Sequence, residues 1–253
     1  MSNKAALLMV GVVLFFSASS AFAGGNATQI LFDQGHNERF LIEEKGALHL
    51  SDFAAVLGSK GALVSSSTKV LDDAALKNVT ALVVSGPFAS LQPEEIDAVV
   101  RFIERGGRLA AMLHIGPPLA GLLARLDVYH SNGVLHERHN VIDLDMNFRV
   151  TALSGSPLFD GLAQFSAYGA WALDPGKAVT VLAQTSAEAW VDLNGDKILS
   201  PGDAVGAFAV AVSGNLGSGG FVIFGDDAIF QNRYLTDNNG KLAGNLAGWL
   251  MGQ

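Results

Sequence analysis

From "TQILFDQGH" onward, short apolar runs rich in Val, Leu and Ala alternate with amphipathic stretches. That order predicts βα units around a parallel sheet. The runs "ILFD", "ALVSSS", "ALVVSGP" and "RLAAMLH" read as strands. Between them, "LSDFAAVLGSKG" predicts a helix capped by Ser51 or its neighbour, with Phe53, Val56 and Leu57 on one face and Gly61 as its stop. "DDAALKN" predicts a short helix. The strongest helical signal is "LQPEEIDAVVRFIERGG". Pro93 suits its first turn, Glu94 and Glu95 complement its positive end, and Ile96, Val99, Val100 and Ile103 form the apolar stripe. "PPLAGLLARLDV" predicts one more helix.

After about residue 130 the helical period gives way to β-like runs: "NFRVTAL", "AVTVLAQ", "EAWVDL", "AFAVAVS" and "GGFVIFGDD". "NNGKLAGNLAGWLMG" then returns to helix, with Leu242, Leu246 and Trp249 or Leu250 on one side. The pattern predicts an α/β fold: a mostly parallel sheet with flanking helices and a β-rich second half. No repeat, low-complexity tract or Pro- or Ser-rich linker divides it, so a single domain over residues 24–253 is expected.

The first residues change where this domain should work. Lys4, the apolar run "AALLMVGVVLFF" and the small residues of "SASSAFA" follow the order of a signal peptide, residues 1–23, cleaved after Ala23. No second run of span length follows, so a soluble periplasmic or secreted product without a stable membrane span is expected. The absence of cysteine excludes disulfides, thiolate metal ligands and a thiol nucleophile. A formal net charge of −8 argues against nucleic acid or anionic lipid as a partner.

In an open parallel sheet, ligands bind where loops leave the carboxyl ends of the strands. Those ends are "DQGHNERF", "SGPF", "HIGPP" and "GDDAIFQNR". They nominate one crevice built from Gly35, His36, Ser85, Gly86, His114, Asp226, Asp227 and Arg233. Two chemistries compete there. Asp33, His36, His114 and Asp226 supply the imidazoles and carboxylates of a hydrolase that activates a metal or a water. The same residues also suit capping and a salt bridge at polar strand ends, with Asp226 as a helix cap.

A second candidate is "DLNGDKILSPGD". Asp192, Asn194, Asp196, Ser200 and Asp203 hold positions one, three, five, nine and twelve of a calcium loop, and Ile198 would offer its carbonyl. The alternative is an acidic hairpin turned at Asn194-Gly195. Lys197 stands where such loops carry glycine, and Asp203 is shorter than the usual glutamate. The expected cofactor is therefore a weakly held structural calcium ion.

Other motifs say less. "HERH", His136 to His139, spaces its histidines by three and reads as a solvated loop rather than a zinc helix. "GNLGSGG" reads as a hairpin turn, and "SGS" near Ser154 lacks the nucleophile-elbow pattern. Trp171, Trp190, Phe165 and Tyr168 either stack on a sugar, as in a carbohydrate-binding envelope protein, or fill the core.

"ILFDQGHNERF", "SDFAAVLGSKG", "LVVSGPFASLQPEEIDAVVRFIERGGRLAAMLH" and "GGFVIFGDDAIFQN" followed by "NLAGWL" together resemble a poorly characterised family with a class I glutamine-amidotransferase-like, flavodoxin-like fold. Similar domains occur in gliding-motility and ABC-transporter accessory proteins and in an intraflagellar-transport subunit. Amidotransferases resembling this architecture place a cysteine at the turn after a central strand, where this chain has His114, Ile115 and Gly116. The resemblance therefore implies a degenerate site used for binding or assembly, with an envelope protein or a small ligand as partner.

Overall fold

A computed structural model describes residues 28–253, so the expected signal peptide lies outside the described residues. The first half alternates strand and helix: β1 (Gln29–Asp33), α1 (Ser51–Ser59), β2 (Leu63–Ser67), β3 (Ala81–Ser85), α2 (Pro93–Glu104), β4 (Arg108–Met112) and α3 (Ala120–Arg125). A β-rich half follows: β5 (Val128–His136), β6 (Asn147–Val150), β7 (Ala152–Leu153), β8 (Phe165–Tyr168), β9 (Trp171–Pro175), β10 (Thr180–Gln184), β11 (Trp190–Val191), β12 (Ala204–Val205), β13 (Ala209–Leu216) and β14 (Gly219–Phe224). The last helix is α4 (Asp237–Met251).

Successive strand residues point to opposite faces, and here both faces are apolar. Ile30, Phe32, Val83 and Met112 pack with Phe53 and Leu57 of α1 and with Leu242, Leu246 and Leu250 of α4. Leu31, Leu82, Val84 and Ala111 pack on the other side with Ile96, Val99, Val100 and Ile103 of α2 and Leu122 and Leu123 of α3. Phe53 is fully buried and stacked on Phe230 at 4.8 Å. Truncating such a ring to alanine costs about 3–5 kcal/mol.

The expectation of a mostly parallel sheet is corrected. The large sheet has 12 strands. Only β2, β1, β3, β4 and β14 run parallel to one another, and every pairing beyond β14 is antiparallel. The flavodoxin-like pattern thus describes one half. Within "AFAVAVS", Ala209 to Val212 are buried on both faces and imitate a parallel strand in sequence. The chain turns from β13 to β14 through Gly217-Ser218, with Leu216 opposite Gly219, and so short a link permits only antiparallel pairing.

Three local expectations also change. "DDAALKN" forms turns rather than a helix. Asp72 Oδ1 accepts the Ala75 N–H there, and the segment has too few residues to propagate a helix. Helix α1 is not capped by its own serine; Asn232 Oδ1 accepts the Asp52 N–H at 2.9 Å. Asn194-Gly195 is not a two-residue hairpin. Val191 pairs with Ala204, so the whole stretch Asp192 to Asp203 forms the loop between β11 and β12. No helix among the described residues is long and apolar enough to cross a membrane.

Candidate functional site

Because β1, β3, β4 and β14 are parallel, their carboxyl ends share one edge of the sheet. Most of the nominated residues gather there, in two separate His–carboxylate groups.

The first belongs to the loop after β1. His36 Nδ1 lies 2.6 Å from Asp33 Oδ2, and its Nε2 lies 3.1 Å from Glu95 Oε2 on α2. Backbone N–H groups orient the carboxylates: Gly35 donates to Asp33 Oδ1 at 3.1 Å, and His36 donates to Glu38 Oε2 at 2.8 Å. Glu95 accepts from Gln92 N and Leu71 N. Glu38 Oε1 is buried with no hydrogen-bond partner among the described residues. Burial alone would lower the His36 pKa, but Asp33 and then Glu95 outweigh it and hold the imidazole at about 9. Burial, then the charge of Asp33, lifts Glu38 to about 8. Glu95 moves the other way, its burial being overcome by the Gln92 N–H and by His36. With both ring nitrogens engaged, His36 is poorly placed to act as a free base.

The second group joins the loops after β3, β4 and β14. His114 Nδ1 lies 3.1 Å from Asp227 Oδ1. The bond to Asp227 raises the imidazole pKa against the effect of burial, while burial raises that of Asp227. Asp227 Oδ2 and Ser85 Oγ are buried without hydrogen-bond partners among the described residues, so Ser85 forms no Ser–His pair with His114. Phe40 and Phe88 sit 5.0 and 5.1 Å from the His114 ring, and the Arg39 guanidinium lies 4.4 Å over Phe88. The Phe88 segment links the two groups: Phe88 N and Ala89 N both donate to the His36 carbonyl.

Asp226 and Arg233 belong to neither group. Asp226 accepts from Ala228 N and Tyr168 N, a capping role that ties β8 to the turn after β14. Burial, then the charge of Asp227, lifts its pKa to about 8. Arg233 lies over Tyr234, which stacks on Tyr168 at 3.8 Å. The nomination left out Glu38, Arg39, Phe40 and Phe88, and read Glu95 only as a helix-end charge. Glu95 carried a signal, since it stands four before Val99 on the apolar stripe, where a carboxylate will be buried.

In the β11–β12 loop, Asp192 accepts from Gly195 N and Lys197 N, Asp196 from Ile198 N, and Asp203 from Leu193 N and Ser200 N. Asn194 Nδ2 donates to Asp196 Oδ2 and Ser200 Oγ. Lys197 takes the left-handed conformation, φ 63°, at the usual glycine position. A cleft of about 600 Å³ separates this loop from His136, Leu144 and Asp145.

In "HERH", Arg138 and His139 are exposed in a loop, as expected, but the first half of the motif is not solvated. His136 is buried face to face on Trp190, and Glu137 is buried and bonded to Ser186 N and Oγ. The other aromatics are also largely spent on packing. Phe165 stacks on Phe159, Trp190 is 3% exposed, and half-buried Trp171 lies edge-on to His130, so the tryptophans form no exposed platform.

The chain is similar in structure to the "mmIFT52 N-terminal domain" at 16% identity, with a TM-score of 0.71 over 88% of this chain and 97% of that one. It is also similar to a putative ThuA-like protein from Bacteroides uniformis (12% identity, 89% and 93% covered, TM-score 0.50). A cytoplasmic protein from Salmonella typhimurium LT2 gives 14% identity, 88% and 100% coverage and a TM-score of 0.53. At such identities the likeness is one of fold alone. No curated protein matches in sequence. Residues 46–247 match the model of a domain of unknown function, DUF4350, and the chain therefore belongs to that family.

Proposed function

We propose that the protein is an exported, non-catalytic binding or assembly module of the cell envelope, serving transporter or motility machinery. Its domain is glutamine-amidotransferase-like in descent, with His114 at the turn where such enzymes carry cysteine. The observation that carries this reading is the division of labour at the strand ends. His36 is engaged at both ring nitrogens, whereas His114, with 37% of its side chain exposed, sits among Arg39, Phe40 and Phe88. An imidazole whose pKa is raised by Asp227 and a guanidinium framed by aromatic rings suit an acidic group on a partner protein or small ligand. A structural calcium ion in the Asp192–Asp203 loop would brace the β11–β12 hairpin. The donor types fit it, and Lys197 already has the backbone conformation required at its position.

The reading is tested by quantitative capture from envelope extract, using folded wild type, Arg39→Glu, Phe88→Ala and, as a remote control, Val205→Ala. A specific partner should bind wild type and the control alike and weaken at least about tenfold with each patch variant, as expected for a charged or aromatic contact near an interface centre. Equal capture by all four proteins would reject the patch. Ammonia release from glutamine that is lost in His114→Ala would reject the non-catalytic reading.

A further inference from the structure

We propose that Asp33, His36 and Glu38 bind one divalent transition-metal ion of the zinc class, with Glu95 as the carboxylate that orients the imidazole. Each of the three residues has one polar atom tied down and another directed into the cluster. Asp33 Oδ1 is held by Gly35 N–H, leaving Oδ2. Glu38 Oε2 is held by His36 N–H, leaving Oε1, which has no partner although the residue is only 9% exposed. His36 Nε2 faces Glu95 Oε2, and its Nδ1 meets Asp33 Oδ2 inside the cluster at 2.6 Å. One donor atom from each residue falls within 4.8 Å of the others.

A tetrahedral shell with metal–ligand distances of about 2.0–2.2 Å asks for donors roughly 3–3.5 Å apart, so small rotations suffice. One imidazole nitrogen and two carboxylates suit zinc and its first-row neighbours better than thiophilic ions. The Glu95···His36 bond is the second-shell arrangement that fixes a metal-bound imidazole, and Glu95 is itself held by Gln92 N and Leu71 N.

Electrostatics point the same way. Asp33 and Glu95 both meet the His36 imidazole, and Glu38 lies beside them, all in a buried setting. Were all three ionised, even a protonated ring would leave negative charge uncompensated, a costly condition away from water. A dication replaces the proton between His36 and Asp33 and gives Glu38 Oε1 its partner. Arg39 and Phe40 follow Glu38 directly in the chain, so the ion would also fix the turn that presents them.

The rival is a proton shared by the Glu38 and Asp33 carboxyl groups, and the two differ in one variant. Glu38→Gln preserves shape and mimics a protonated carboxyl, but removes the metal's anionic ligand. Chelator-stripped full chain, in calcium buffer so that the 192–203 loop does not compete, is titrated with zinc by calorimetry and with cobalt by visible absorption. One equivalent should bind. Glu38→Gln, which removes a ligand, should weaken binding by at least about 100-fold, and Glu95→Gln by about tenfold, as loss of a ligand-supporting contact does, while both retain the wild-type circular dichroism. The double variant Asp192→Ala/Asp196→Ala should bind like wild type. Absence of saturable zinc or cobalt binding, binding that survives Glu38→Gln, or binding lost in the Asp192→Ala/Asp196→Ala protein would each overturn the proposal.

Discussion

A side chain at Gly86 would collide with Asp227: an added Cβ would stand 2.2 Å from Oδ2 and 3.1 Å from the Cβ of His114. Gly86 also has φ +59°, the left-handed region that penalises side chains by about 1–2 kcal/mol. The His114–Asp227 pair thus depends on the bare backbone of the β3 loop. Gly86→Ala should lower the stability from urea unfolding by more than about 1 kcal/mol. Gly58 in α1 has open space around it, and Gly58→Ala should instead stabilise by about 0.5–1 kcal/mol. Equal midpoints for the two variants would refute the contrast.

Asn232 joins distant parts of the chain. Its Oδ1 caps α1 at Asp52, and its Nδ2 donates to the Gly46 carbonyl and to Ser51 Oγ. Asn232→Ala should cost about 1–2 kcal/mol, as loss of a helix cap does, and Asn232→Asp, which retains the acceptor, should cost less. Thermal melts that rank the two in the opposite order would assign the stabilisation to the amide donor instead.

Calcium should raise the melting temperature by stabilising the folded state by about 1.4 kcal/mol at ten times its dissociation constant, and magnesium should not reproduce the rise. Asp192→Ala and Asp196→Ala should each abolish it without changing the circular dichroism spectrum. No calcium-dependent heat and no thermal shift would leave an acidic loop bonded only to itself.

Stability should fall as pH rises from about 5 to 9. Asp226 is held by burial, and then by the charge of Asp227, at about 8 rather than 3.8. The folded chain therefore keeps a proton that the unfolded chain releases above about 4, and this contribution is lost as pH climbs to 8. His114 is raised above 6.5 by its bond to Asp227, so its stabilisation is complete below 6.5 and fades above it. Glu95, lowered from 4.5, acts only on the acidic side, where its contribution is lost as pH falls. Melts at constant ionic strength measure the slope. A melting temperature that climbs between pH 5 and 9 would reverse these assignments.

The strand ends were legible because short apolar runs ending in polar, glycine-bearing loops mark where a βα unit turns. Asp33, His36, His114 and Asp227 do lie there. Their pairing was not legible. His36 meets Glu95 across 59 residues, and nothing local to either distinguishes that partner from His114 or Asp226.

By itself the sequence determined what depends on local chemistry. It excluded thiol chemistry, placed α2 and α4 through their apolar stripes, and set the two-faced apolar character of the central strands. Only the tertiary structure decided strand direction in the second half, since a run buried on both faces has the same pattern in either direction and its pairing partner lies elsewhere in the chain. It also separated the strand-end residues into two His–carboxylate groups and sent Asp226 to a cap, because burial and hydrogen-bond geometry arise only once the loops are packed together.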